Sequence, residues 1–302
     1  MSAFEELGHV DIYTNTSEDE IAERIKDADV VVANKCRLNK ETMEEAVNIK
    51  LVAELATGYD NIDLDYCKSR GIHVCNVRGY STPAVVQHTF ALCFYVLEHL
   101  RHYDDLVKSG QYGDGDSFTI HDMPFNELRD KTWGIIGLGE IGKGVAKAAS
   151  AFGCKVIYYS TSGKNSSNEY ESVSLNELLR SSDIISCHCP LNDRTRYIIN
   201  KETLSEMKKS AILINVARGA VVNNSDLYDA LCDNVIAGAG LDVLDGEPIT
   251  KDNPLGLFKD SNRLIITPHM AWASSESQQR CVNEAYLNVK AFCEGKQRNL
   301  VI

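Results

Sequence analysis

The stretch Gly137-Leu138-Gly139-Glu140-Ile141-Gly142 is the feature around which the rest of the chain is organised. A short apolar run, residues 133–136, precedes it, and a segment typical of a helix, residues 143–148, follows it. In a strand–turn–helix of this kind the first glycine permits the tight bend and the second lets the backbone approach a pyrophosphate. The third glycine allows the helix to pack closely on the strand. An ordinary glycine turn is the alternative, but the flanking strand and helix favour a dinucleotide-binding site.

Length and composition are those of an ordinary globular chain. Its 302 residues suffice for one large or two ordinary domains, and 44% of them are hydrophobic. No run of about eighteen apolar residues occurs, and the N-terminus lacks a signal-like apolar core, so we expect neither a membrane span nor export. Ten irregularly spaced cysteines indicate reduced thiols and a cytoplasmic location.

Charge and ligand spacing exclude several classes of partner. The formal net charge of −12 argues against nucleic acid and anionic membranes, and it means that local cations must hold any anionic substrate. Cys187-His188-Cys189 has the look of a metal motif, but no second cluster completes a ligand set. We therefore expect no bound metal.

The first hundred residues alternate short helices and apolar strands, which predicts a parallel sheet with both faces covered. The predicted strands are residues 30–33, 51–55 and 72–75, and a capping box at Ser17–Glu20 begins the first helix. The turn Ala56-Thr57-Gly58-Tyr59-Asp60-Asn61 follows the second strand, at the edge where open α/β sheets bind ligands. Spacing alone does not exclude the alternative that Gly58 is an ordinary turn residue.

A long helix, predicted to begin at Thr82-Pro83, is apolar on most sides until about Glu98 and is therefore expected to be buried. Residues 109–124, rich in Gly, Asp and Ser, form either a dimer-contacting arm or a solvated loop. From Lys131 the alternation restarts, and a final helix is predicted at residues 276–294. Six strands with crossover helices predict a doubly wound dinucleotide-binding fold, and they lie at residues 133–137, 155–159, 184–188, 212–215, 236–241 and 264–267.

Three of these strands end in reactive side chains. Arg218 follows the fourth strand, Asp242 and Glu247 follow the fifth, and His269 follows the sixth. Reduction of a 2-keto acid needs a cation for the substrate, a proton donor and a hydride donor, and an imidazole beside a carboxylate is a suitable proton donor. Taken singly, Arg218 is explained as part of a surface ion pair, Glu247 as a solvated loop acid and His269 as a structural histidine at a strand end. Together, at one sheet edge, they favour catalysis.

The chain resembles the D-isomer-specific 2-hydroxyacid dehydrogenases over essentially its whole length. The motifs that carry the resemblance are residues 56–63, 137–142, 215–219, 240–243, 246–248 and 267–269. The resemblance implies that His269 is the general acid/base, Glu247 its partner and Arg218 the cation that orients the substrate. It also implies that backbone N–H groups at Thr57 and Gly58 hold the substrate carboxylate.

The same resemblance implies two doubly wound domains. A six-stranded Rossmann cofactor domain would span residues 97–269, and a smaller, discontinuous, flavodoxin-like substrate domain would comprise residues 1–96 and 270–302. Homodimers are usual in the family. The cofactor contacts implied are Val77, Gly137, Gly139, Glu140, Ile141, Gly142, Ser160, Cys189, Pro190, Val216, Ala217, Asp242 and His269.

Residues 76–83, 87–89 and 269–273 are similar to those of hydroxypyruvate reductases, also called glycerate dehydrogenases. Trp272 is then expected to line a small substrate pocket, although a packing role is the alternative. Hydroxypyruvate or glyoxylate is the expected substrate. The alternatives are a D-lactate-type or other 2-hydroxyacid dehydrogenase, or a non-catalytic scaffold that senses NADH.

Two departures from the family pattern bear on these expectations. The second strand of the cofactor domain ends in Ser160, where NAD enzymes usually carry an acid for the ribose hydroxyls. We expect NAD to be favoured and NADP tolerated. In addition, only Met1-Ser2-Ala3 stand where relatives have their first strand, so the small domain is expected to lack that strand and to be less stable unless another segment replaces it.

Overall fold

A computed structural model of the chain describes residues 2–113, 115 and 117–302. Asp114 and Asp116 of the predicted arm, and Met1, lie outside the described residues. The strands are β1 Val30–Ala33, β2 Leu51–Glu54, β3 His73–Cys75, β4 Thr132–Ile136, β5 Lys155–Tyr159, β6 Glu171–Ser172, β7 Ile184–Cys187, β8 Ile212–Asn215, β9 Gly238–Leu241 and β10 Leu264–Ile266. The helices are α1 Ile21–Ile25, α2 Lys40–Met43, α3 Leu64–Ser69, α4 Thr82–Leu97, α5 Leu100–Lys108, α6 Glu140–Ala151, α7 Leu175–Ser181, α8 Lys201–Ser205, α9 Asn224–Cys232 and α10 Ser275–Cys293.

The chain divides into two compact units, and the division is discontinuous in sequence. The smaller unit comprises the residues up to Ser81 together with Ala273–Ile302, and the larger unit is Thr82–Trp272. The predicted boundary fell after residue 96, whereas the structure groups α4 with the larger unit. Gly238 and Gly240 of β9 lack side chains, so that Val96 and Leu92 of α4 can pack directly against the sheet.

The smaller unit contains a three-stranded parallel sheet in the order β1-β2-β3. Its apolar strands are covered by short helices, and α10 packs against β2. The outer side of β3 pairs with the C-terminal tail, where the Val301 N–H donates to the Val74 carbonyl at 2.7 Å. On the other side β1 is the edge strand, and residues 9–16 form no strand.

The larger unit contains seven parallel strands, in the order β10-β9-β8-β7-β4-β5-β6. Six of them are the strands predicted from continuous apolar runs, and their ends agree within two residues. The prediction of six strands was wrong by one, because β6 extends the sheet beside β5. This strand has two exposed polar residues, Glu171 and Ser172, and therefore has no apolar pattern that could indicate it.

The long helix α4 is buried along much of its length, as predicted, and it packs against β8, β9 and β10. It ends at Leu97, and His99 adopts a left-handed backbone conformation with φ of 51° before α5 begins. This kink separates a buried apolar helix from a second helix, α5, in which no described residue is buried.

All ten cysteines are free thiols. Burial raises the pKa of most of them, for example to about 11 for Cys67 and Cys154. Within the described ranges, no helix is both long enough and apolar enough to cross a bilayer.

Candidate active site

The glycine turn lies between β4 and α6, as predicted. Gly137 has a φ of 98°, which favours glycine, and a Cβ built there would lie 2.8 Å from the backbone nitrogen of Cys189. A Cβ on Gly142 would lie 2.3 Å from the Gly137 carbonyl oxygen, so the helix can approach the strand only without it. Around Gly139, by contrast, no atom lies within 4 Å of the built Cβ. This open space lies at the N-terminus of α6, where unpaired N–H groups favour an anion.

Two buried polar atoms beside this turn have no hydrogen-bond partner among the described residues. They are Ser160 Oγ, after β5, and His188 Nδ1, after β7. Since β5 and β7 are the two neighbours of β4, both atoms lie at the edge on which the glycine turn opens. Unpaired buried polar atoms are costly unless a ligand or water satisfies them. The open glycine and the two unpaired atoms together fit a dinucleotide.

His188 is neutral at physiological pH, because burial lowers its pKa to about 3. Its Nε2 lies 2.9 Å from the Ser186 hydroxyl, which also accepts a hydrogen bond from Trp133 Nε1 at 2.8 Å. From sequence, His188 stands out only as part of a possible metal motif. No group of three or more potential metal-ligating side chains is found in the described part of the chain.

The other predicted cofactor contacts of the larger unit surround the same edge. Cys189 is buried and Pro190 is exposed directly after β7, while Val216 and Ala217 directly follow β8. Glu140 and Ile141 form the first turn of α6, the former exposed and the latter half-buried.

The loop after β8 carries Arg218 and is held in shape by Asn215. The Asn215 side chain accepts a hydrogen bond from the Ala217 N–H at 3.1 Å and donates one to the Arg218 carbonyl at 3.0 Å. The next residue, Gly219, could carry no side chain, because a Cβ would lie 1.8 Å from the carbonyl oxygen of Leu244. Arg218 is half-buried, and its Nη1 donates to the Ala217 carbonyl at 2.9 Å.

His269 and Glu247 form a close pair. His269 Nδ1 lies 2.6 Å from Glu247 Oε2, and the other carboxylate oxygen, Oε1, accepts a hydrogen bond from the Leu244 N–H at 2.8 Å. His269 has a φ of 53°, and this uncommon conformation directs the residue out of the strand end. With Nδ1 held by the carboxylate, Nε2 makes no hydrogen bond among the described residues, so it can donate a proton when the ring is protonated and accept one when the ring is neutral.

Asp242 anchors the loop that carries His269. Its carboxylate, only 1% exposed, accepts hydrogen bonds from the Met270 and Ala271 N–H groups, each at 2.8 Å, and from the Thr267 hydroxyl at 2.6 Å. Its backbone carbonyl accepts from the His269 N–H at 2.8 Å. Burial alone would raise the pKa of Asp242, but these bonds, with His88, hold the pKa below its usual value.

His88 is a member of this network that the sequence analysis did not identify as functional. Its Nε2 lies 2.9 Å from Thr267 Oγ1 and 3.5 Å from Asp242 Oδ1. Since the single Thr267 proton goes to Asp242, the His88 Nε2–H donates to the Thr267 oxygen. His88 and Thr267 are 179 residues apart, so no local pattern indicates their contact.

Trp272 lies three residues after His269 and is half-buried. Its indole Nε1 donates to the His269 carbonyl at 2.9 Å, so the ring is oriented by the same loop. Its apolar part packs at the margin of the core cluster that includes Leu138 and Val216. The geometry thus supports packing, and it leaves the predicted role in substrate binding as a prediction.

In the smaller unit, the turn after β2 is fixed from the β3 side. Asn76 Nδ2 donates to the Thr57 carbonyl at 2.7 Å, and the Thr57 hydroxyl donates to the Val77 carbonyl at 2.9 Å. The Val77 N–H in turn donates to the Ala56 carbonyl at 3.0 Å, and the Val77 side chain is buried. The N–H groups of Thr57 and Gly58 make no hydrogen bond among the described residues, so they are available to an anion.

Comparison with known proteins agrees with this geometry. Residues 90–271 match the family described as D-isomer specific 2-hydroxyacid dehydrogenase, NAD binding domain. The chain is 40% identical to a hydroxypyruvate reductase of Blautia hydrogenotrophica, over 98% of this chain and 93% of that protein.

Solved structures extend the similarity to both units. A D-lactate dehydrogenase from Aquifex aeolicus, complexed with NAD and lactic acid, matches with a TM-score of 0.87 and 33% identity over 97% of this chain and 91% of that one. An acyclic imino acid reductase in complex with NADPH and D-Arg matches with a TM-score of 0.90 and 34% identity, over 100% and 94% of the two chains.

Proposed function

Because the chain belongs to the D-isomer specific 2-hydroxyacid dehydrogenase family, whose enzymes are NAD(P)-dependent, we propose that it reduces hydroxypyruvate or glyoxylate to D-glycerate or glycolate. The observation that carries the proposal is the 2.6 Å contact between His269 and Glu247 at the sheet edge where the glycine turn opens. A hydroxypyruvate reductase among the relatives supports the choice of substrate. A D-lactate-type activity is the alternative.

His269 acts as the general acid. Glu247 holds Nδ1, which orients the ring and stabilises its protonated form, so that Nε2 delivers the proton to the carbonyl oxygen of the substrate. A bound dinucleotide would supply the hydride for the carbonyl carbon. In the reverse direction His269 takes the hydroxyl proton.

Arg218 orients the substrate by its positive charge, which complements the keto acid. Its loop is fixed by Asn215, so the guanidinium is presented from a rigid segment. In the smaller unit, the available N–H groups of Thr57 and Gly58 bind a carboxylate oxygen. We assign Trp272 to the wall of the substrate pocket, since its ring is oriented through the His269 carbonyl.

The residues around the glycine turn would hold the dinucleotide. The open space at Gly139, beside Glu140 and Ile141 at the start of α6, would receive the pyrophosphate. The Ser160 hydroxyl would bond the adenosine ribose. Further contacts would come from Val77, Gly137, Gly142, Cys189, Pro190, Val216, Ala217, Asp242 and His269.

The decisive experiment measures NADH oxidation by absorbance with a panel of 2-keto acids, and repeats it with NADPH. We expect hydroxypyruvate or glyoxylate to give the highest kcat/KM and NADH to be preferred, because no cation follows β5 until Lys164. A strong NADPH preference would overturn the cofactor assignment. Absence of turnover with every keto acid would favour a non-catalytic NADH-binding role.

We also propose that the protein is a cytoplasmic homodimer. Its free cysteines fit a reducing compartment. Helix α5 and the segment after it expose the apolar side chains of Val107, Phe118 and Phe125, and Phe118 is 91% exposed. Apolar side chains grouped on one segment are typical of a protein interface.

Light scattering after size-exclusion chromatography tests the dimer. We expect a mass of two chains for the wild-type protein, and a large shift toward one chain for the double variant Val107→Ser/Phe118→Ser, because the interface loses apolar area. Val47→Ser, which changes an exposed apolar residue of the smaller unit, is the matched control and keeps the dimer. A wild-type monomer at micromolar concentration would contradict the proposal.

A further inference from the structure

Glu54, the last residue of β2, has a buried carboxyl group that the proposed chemistry does not use. Its side chain is only 1% exposed. It forms no ion pair with any described residue, and burial raises its pKa from 4.5 to about 7, although hydrogen bonds from Asn61 and Lys35 act in the opposite direction. A buried acid without a cationic partner is uncommon, because desolvation of a carboxylate is costly.

The contacts of Glu54 close a loop. Its Oε1 accepts a hydrogen bond from the Lys35 N–H at 3.3 Å, and its Oε2 accepts one from Asn61 Nδ2 at 3.2 Å. The chain leaves β2 at Glu54, passes through Thr57 and Gly58, and returns to the same carboxyl group at Asn61. The Asn61 amide also donates to the Cys36 carbonyl at 2.7 Å, which ties this loop to the one after β1.

The loop is therefore held on two sides by contacts of different kinds. On the β3 side, Asn76 and Val77 hold the Thr57 backbone and side chain with neutral hydrogen bonds. On the β1 side the loop is held by the hydrogen bonds to the Glu54 carboxyl group, whose charge changes with pH. Two further bonds on that side are neutral: Asn34 Nδ2 donates to the Leu55 carbonyl, and the Leu55 N–H donates to the Ala33 carbonyl, each at 2.7 Å.

We propose that Glu54 is a positioning residue for the anion-binding loop 55–60: its buried carboxyl group ties Lys35 and Asn61 into the loop, and its ionised form repels the substrate carboxylate. This inference rests on the proposed function, in which Thr57 and Gly58 bind the keto acid. The reason for the repulsion is Coulombic, since a buried charge is poorly screened and acts on a neighbouring anion.

The buried titratable groups on the elements packed around Glu54 are thiols. Burial and then the Glu54 charge raise the pKa of Cys36, and the same two causes raise the pKa of Cys281 on α10 to about 12. Burial raises the pKa of Cys75 on β3 to about 11. β3 also carries His73 and the loop carries Asp60, but both of these side chains are exposed to solvent, which screens their charges. Near neutral pH the thiols keep their protons, so Glu54 is the buried neighbour of the loop whose charge changes.

The test compares the KM for the keto acid in the wild-type protein and in Glu54→Gln, which is neutral at every pH. At about pH 6 we expect equal KM values. At about pH 8.5 we expect the KM of Glu54→Gln to be roughly tenfold lower than that of the wild type, with kcat within about twofold. The ratio isolates Glu54, because His269 is present in both proteins. NADH affinity, measured by fluorescence, stays unchanged.

Asp183→Asn is the matched control. Asp183 is a partly buried carboxylate at the opposite edge of the larger unit's sheet, where it accepts from the Thr132 N–H and Lys208 Nζ. The KM of the Asp183→Asn variant should follow the pH profile of the wild-type protein. A KM ratio for Glu54→Gln that is constant across pH shows a purely structural role and overturns the inference, while the proposed function stands.

A measurement on the wild-type protein covers the case in which Glu54→Gln does not fold. Infrared difference spectroscopy follows the band of the protonated carboxyl group as pH rises, with and without the inert keto acid analogue oxamate. By reciprocity, oxamate binding should move the midpoint of that band to higher pH by about one unit. An unchanged midpoint in a protein that binds oxamate overturns the inference; failure to bind oxamate and to turn over any keto acid overturns the proposed function.

Discussion

His269→Ala is expected to lower kcat about 10³-fold, because removal of a positioned general acid typically costs 10²–10⁴-fold in rate. The 2.6 Å contact with Glu247 is the reason for expecting the full effect, since the carboxylate holds the ring in one orientation. NADH affinity, followed by fluorescence, should change less than about twofold. Stopped-flow absorbance at the NADH wavelength measures the remaining turnover.

Two further variants sharpen this result. Glu247→Gln retains a hydrogen-bond acceptor for the ring but loses the charge that stabilises imidazolium, so we expect an intermediate loss of kcat. His9→Ala changes an exposed histidine of the smaller unit and should leave kcat unchanged. Wild-type turnover in His269→Ala would refute the assignment of His269 as the general acid.

Asp242→Asn is expected to cost about 3 kcal/mol of stability in the larger unit and about 10²-fold in kcat. An amide in place of the carboxylate turns an NH₂ group toward one of the donors Thr267, Met270 or Ala271, and a buried donor is left unsatisfied. The His269 loop then loses its anchor. Denaturant unfolding followed by tryptophan fluorescence reports on this unit, because both tryptophans, Trp133 and Trp272, lie in it.

The pH dependence of that stability difference has a definite sign. The folded pKa of Asp242 is lower than the unfolded one, so the ionised carboxylate contributes stability above about pH 4. That contribution is lost as pH falls through the folded pKa, and the two proteins should converge in acid. Asp233→Asn changes an exposed acid at the end of α9 and serves as control. A stability difference that persists unchanged into acid would contradict the role given to the Asp242 charge.

Strand positions were predictable because the strands of a covered parallel sheet are continuous apolar runs. The boundary between the units was less predictable. The sequence predicts α4 as part of the substrate domain, but Leu92 and Val96 pack on Gly240 and Gly238 of β9, which lie more than 140 residues later. Such a contact depends on two segments brought together by folding, so no window of local sequence contains it.

Arg218, Glu247 and His269 could be predicted as site residues because each follows a predicted strand, and parallel strands end at one edge of a sheet. The residues that surround them could not be predicted in this way. His88 is a helix residue that looks structural until its 2.9 Å contact with Thr267 is seen. Glu54 ends an apolar strand like a surface acid, and its pKa is raised by burial, which depends on several elements that fold around it.

The sequence by itself determined the strand–turn–helix of the dinucleotide site and the order of reactive residues along the sheet edge, because both depend on local periodicity and chain order. Only the tertiary structure decided which groups are hydrogen-bonded to one another and which are buried. The pairing of His269 with Glu247, the anchoring of the His269 loop by Asp242 and the burial of Glu54 each depend on distances between segments. Desolvation and hydrogen bonding act over a few ångströms in space, whatever the separation along the chain.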